Sequence, residues 1–82
     1  MEIKEIVAER GKTHGKFSEG ADVFAALMDV VNRHRPNLNN TQYYGLTLAM
    51  AKTTRILVGN PDEPDHWLDA AAYFQLGGGL VE

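Results

Sequence analysis

The chain contains no cysteine, which excludes disulfide staples and thiolate zinc sites and fits a cytoplasmic protein. No apolar run is long enough to span a bilayer, so no membrane association is expected. The charged opening MEIKE lacks a signal-peptide pattern, which again points to the cytoplasm. Basic residues are few, 8 Lys and Arg against 11 Asp and Glu, and the net charge is −3. That balance argues against general nucleic-acid binding, which needs clustered cations to neutralise phosphates. Strand alternation, internal repeats and low-complexity segments are all missing.

What is present is helical periodicity. The 82 residues suit one small all-α domain, residues 1–82, with a hydrophobic fraction of 44% that is ordinary for a globular chain. Ile3, Ile6 and Val7 share one side of a short first helix, with Gly11 placed to stop it. Ser18 is a candidate N-cap for a second helix, whose apolar stripe is Val23, Phe24, Leu27, Val30 and Val31. Pro36 and the surrounding asparagines end it. The third helix has the strongest start signal: Asn39 and Gln42 can form a capping box. It is apolar around much of its circumference and is expected to be central, with Gly45 marking a close helix crossing. Gly59 and Asp62 are the expected caps either side of the next break, and Pro64 opens a fourth helix that ends at Gly77–Gly79. The expected fold is a compact four-helix domain with Leu46, Met50, Leu57, Trp67 and Phe74 in its core. So short a chain, with so much apolar helix surface, is expected to form a homo-oligomer, a dimer first.

The chemistry-bearing segment is Arg10–Ser18, RGKTHGKFS. Its GKT is not a Walker A loop, because Ile6 stands where the first glycine is required and no strand precedes it. It is read first as an inter-helix connector, with His14 bracing its own loop. Secondly, Lys12, Thr13, His14 and Lys16 could bind an anion near the start of the second helix. His66 is expected at the surface. A second constellation lies further on. Lys52 and Arg55 share one side of helix three, and Asp65 and Asp69 share one side of helix four. Arg55 is expected to approach Asp65 and Asp69 in an inter-helix ion pair. Functionally, the two carboxylates could instead hold a divalent cation while Lys52 and Arg55 face phosphate oxygens.

Three pieces, ERGKTHGKF at 9–17, KTTRILVGNP at 52–61 and DHWLDAAAYF at 65–74, resemble a family of small uncharacterised phage and prophage proteins. The resemblance implies a phage origin, hence the cytoplasm of an infected or lysogenic bacterial host, and a compact helical fold. It carries no activity. Lys52, Arg55, Ile56, Asp65, Asp69 and Tyr73 also look like the last two helices of MazG-type all-α nucleotide pyrophosphohydrolases. By that resemblance Asp69 would stand in the place of a metal-binding aspartate of a magnesium site. Taken with the loop and helix-pair readings above, the candidate ligand-binding residues are His14, Lys52, Arg55, Asp69 and Tyr73, and the candidate metal ligands Asp65 and Asp69. The paired E-x-x-E of those enzymes is absent here, since helix two offers only Glu19 and Asp22 and helix three has no acid. No catalytic residue is therefore assigned. Two functions stand: a scaffold or sponge that binds a nucleotide or nucleotide-derived signal without clear catalysis, and an interaction module that binds and inhibits or redirects a host protein.

Overall fold

A computed structural model describes residues 2–82. Four helices follow one another: α1 (Ile3–His14), α2 (Phe17–Arg33), α3 (Asn40–Val58) and α4 (Pro64–Gly77), with one 3₁₀ turn at Arg35–Asn37. No strand occurs among the described residues, and no helix is long and apolar enough to cross a membrane. Helix α3 is central. It packs most extensively on α4, then on α2, and it also touches α1.

The capping box forms as the sequence specifies. The Gln42 N–H donates to Asn39 Oδ1 at 2.8 Å, and the Asn39 N–H donates to Gln42 Oε1 at 2.9 Å. Gly45 also acts as expected: a Cβ added there would lie 2.5 Å from the Gly77 Cα and 3.0 Å from the Tyr73 carbonyl oxygen. The α3 and α4 backbones therefore meet directly, which only a missing side chain permits. The turn from α2 to α3 is held by Arg35, whose guanidinium lies 4.3 Å from the centre of the Tyr43 ring and donates to the Leu38 carbonyl at 2.8 Å. The Tyr43 hydroxyl in turn donates to Asn32 Oδ1 at 2.6 Å.

Other boundaries differ from expectation. Gly11 lies inside α1, which runs on to His14 and ends at Gly15 with φ of 79°. Lys16, not Ser18, caps α2, and Glu63, not Asp62, caps α4. A single interior glycine costs helix propensity but does not stop a helix, whereas a left-handed residue does.

The core also differs. Its buried apolar residues are Met28, Ala49 and Ala70, joined by buried Thr54 and His66. Leu46 and Met50 are half-buried, while Leu57 is 62%, Trp67 56% and Phe74 49% exposed. The chain is elongated rather than compact, with extents of 40 × 26 × 23 Å. Its radius of gyration is 13.8 Å, against about 12 Å for a compact chain of this length. Helix α4 turns His66, Ala70 and Gly77 inward and leaves Trp67, Leu68, Phe74 and Leu76 outward.

Candidate functional site

The connector at Thr13–Gly15 is clamped between elements far apart in sequence. The Thr13 carbonyl accepts two hydrogen bonds, from the Asn60 N–H at 2.9 Å and from His66 Nε2 at 2.8 Å. Since a carbonyl only accepts, Nε2 of His66 carries the hydrogen. His66 is 3% exposed, so the surface position expected from its place in a first turn is wrong. Its ring is needed inside, because it reaches back from α4 to the α1 terminus. Gly15 and Gly59 let the two backbones touch: a Cβ on Gly15 would strike the Val58 carbonyl, and one on Gly59 the Thr13 carbonyl. The brace is therefore His66, and His14 does not make the loop hydrogen bond expected of it.

His14 instead stands half-buried with its ring 5.4 Å from that of His66. Its pKa is held below the ordinary histidine value, first by burial and then by the charges of Arg55, His66, Lys52 and Arg10. It borders a cavity of about 530 Å³ between α1, α2 and α3. Helix α1 contributes Ile6, Arg10 and His14, spaced four apart on one face. Phe17 and Phe24 come from α2, and Ala51, Thr54 and Arg55 from α3. Lys16 stands at the mouth of α2. Among the described residues no Asp or Glu lines the cavity. The result is an apolar groove edged by three permanent cations and one titratable imidazole, in a chain that is acidic overall.

The first turn of α2 opens beside it. No side-chain hydrogen bond caps that helix, and the only acid in its first turn is Glu19. Lys12 takes no part, being paired with Glu9 at 3.1 Å on the surface.

The remaining expected residues separate from this groove. Lys52 Nζ pairs with Asp69 Oδ2 at 2.9 Å, linking α3 to α4 with the lysine largely covered. The inter-helix ion pair thus exists, but Lys52 rather than Arg55 makes it. Arg55 is half-buried and makes no ion pair among the described residues. Tyr73 lies beside a separate, smaller cavity of about 240 Å³ with Leu38, Gln42, Leu46, Phe74, Gly77 and Gly78. Asp65 is exposed in the first turn of α4. Among the described residues no three His, Asp or Glu side chains gather to hold a metal ion. Two carboxylates, one already neutralised by Lys52, make a poor magnesium site by themselves.

Arg10, Phe17 and Phe24 were not singled out as site residues from the sequence. The signal for Arg10 was available, because Ile6, Arg10 and His14 align once α1 is carried through Gly11. No family model, curated protein or solved structure matches this chain, so the groove itself carries the functional reading.

Proposed function

We propose that the protein binds an anionic small molecule of the nucleotide type in the groove between α1, α2 and α3, as a homo-oligomer and without clear catalysis. One observation carries this reading: Arg10, Lys16, Arg55 and His14 border an apolar cavity that, among the described residues, has no carboxylate in its lining. Phosphate oxygens suit the guanidinium groups and the uncapped start of α2. A base or other planar body suits Phe17 and Phe24. Such a protein would act as a reduced pyrophosphohydrolase-like scaffold or as a sponge for a nucleotide signal, in the phage setting that the sequence resemblance suggests.

A thermal-shift screen with nucleotides and cyclic dinucleotides, with and without magnesium, tests this directly. A ligand at one hundred times its Kd should stabilise the fold by about 2.7 kcal/mol. Arg55→Gln should abolish the shift. If no nucleotide raises the melting temperature at millimolar concentration, the reading is wrong.

The second reading is an interaction module for a host protein. It is favoured by the groove's exposed apolar members, Val7 on α1 and Phe17 on α2, which could receive an amphipathic helix. The two readings separate by mutation. A docked helix would need Val7 and would be lost in Val7→Asp, whereas a nucleotide would depend chiefly on Arg55.

A further inference from the structure

We infer that the outer face of α4 is the interface of a two-fold homodimer, in which two α4 helices pack antiparallel about Ala71. This gives the homo-oligomer named above its interface and does not depend on the ligand reading.

Helix α4 is inverted relative to an ordinary surface helix. His66, Ala70 and Gly77 face α3, while Trp67, Leu68, Ala71, Phe74 and Leu76 are exposed. Of these, Trp67, Leu68, Ala71 and Phe74 share one side of the helix, and an exposed apolar stripe of this kind marks a contact site. From Ala70 to Val81 there is not one charged residue, so on the second half of this face only the Gln75 amide has to be taken out of water. Trp67 is already prepared for burial, because its indole N–H donates to the Pro61 carbonyl at 2.7 Å and needs no water.

The area fits a dimer. The chain exposes 5971 Å². A folded monomer of its mass would expose about 4,900 Å². The surplus, which includes the open α1–α2 groove as well as the α4 face, is about 1,100 Å², enough to contain the roughly 800 Å² that a standard interface takes from each partner.

The pattern fits a second copy in particular. Counted outward from Ala71, Leu68 mirrors Phe74 and Trp67 mirrors Gln75. Antiparallel helices centred on Ala71 therefore set Leu68 of each copy against Phe74 of the other, with the small alanines at the axis. That self-complementarity is what a two-fold contact requires. Charge selects the direction. Asp62, Glu63 and Asp65 crowd the start of α4, so a parallel pair would set acids against acids. The antiparallel pair lays each acidic start beside the other copy's uncharged second half.

The absence of cysteine makes the test clean. Ala71→Cys places one thiol on the proposed axis, and Asp22→Cys places one on the exposed side of α2 as a control. Under mild oxidation Ala71→Cys should cross-link to a covalent dimer at micromolar concentration, much faster than the control. Sedimentation should show a wild-type dimer and a Leu68→Lys monomer. Should Leu68→Lys lose its helical signal, the cysteine pair still decides. A monomeric wild type, equal cross-linking of the two cysteine variants, or a helical Leu68→Lys that stays dimeric would each overturn the proposal. The first of these outcomes would leave the face to a foreign partner.

Discussion

The two halves of this molecule are built on opposite principles. Between α3 and α4 the backbones touch at Gly45 and Gly77, a capping box fixes the start of α3, and Lys52 and Asp69 bridge the helices. Between α1 and α2 there is a cavity where the core would otherwise be, and α1 has no buried residue at all. The first half is a scaffold; α2 packs against its α3, and α1 is tied to it mainly at the Thr13 carbonyl. Binding regions are commonly drawn from the less stable part of a fold, because a groove filled by the chain's own side chains cannot receive anything else.

The largest expected effect breaks the scaffold. Gly45→Ala pushes a Cβ into the backbone of Gly77, and neither helix can yield without losing its neighbours. Overpacking costs about 1–3 kcal/mol where side chains can give, and a Cβ set 2.5 Å from fixed backbone should exceed about 3 kcal/mol. Alanine's better helix propensity offsets at most about 1 kcal/mol of it. Gly77→Ala, whose Cβ would stand 3.0 Å from the Gly45 Cα, should cost less. Denaturant unfolding of the two variants checks the order. Equal stability of Gly45→Ala and wild type would show that the crossing is looser than described.

A middle-sized effect loosens α1 from the rest of the fold. His66→Ala removes a buried donor from the Thr13 carbonyl and leaves a cavity beside it, at a cost of about 1–3 kcal/mol. Its signature should be local. Amides of residues 3–14 should exchange faster, while those of α3 stay protected. Uniform loss of protection across all four helices would show that the halves unfold as one unit.

The comparison also explains what the sequence conveys. Some signals confined to a few neighbouring residues are legible: the Asn39–Gln42 box, the glycine crossing at Gly45 and the proline break at Pro36 form where the pattern puts them, whereas the Gly11 stop and the Ser18 and Asp62 caps do not. Signals that depend on which face meets which neighbour are not legible. Trp67, Leu57 and Phe74 have the spacing of core residues, yet spacing cannot tell a face that meets α3 from one that meets solvent or another chain. His66 and His14 exchange their expected roles for the same reason. Which imidazole reaches Thr13 depends on how α4 returns along α3, a contact spanning 53 residues. Lys52 and Arg55 share a side of α3, but only the packing angle decides that Lys52 meets Asp69 and Arg55 meets the groove.

The smallest expected effect concerns His14 and reports on the groove alone. Its folded pKa lies below the ordinary histidine value, through burial and then through Arg55, His66, Lys52 and Arg10. The unfolded chain therefore binds a proton at higher pH than the folded one does. The stability that follows is fully present above the unfolded value near 6.5 and is lost as pH falls from there through the lower folded value. His14→Gln should flatten that part of the stability profile and leave stability at pH 8 nearly unchanged. An anion in the groove reverses the balance. By neutralising Arg55 and Arg10 it favours the imidazolium, so affinity should strengthen as pH falls through the same window, and His14→Gln should remove that dependence. Affinity that is flat with pH in the wild type would place the bound anion away from His14 and move the site out of the α1–α2 half.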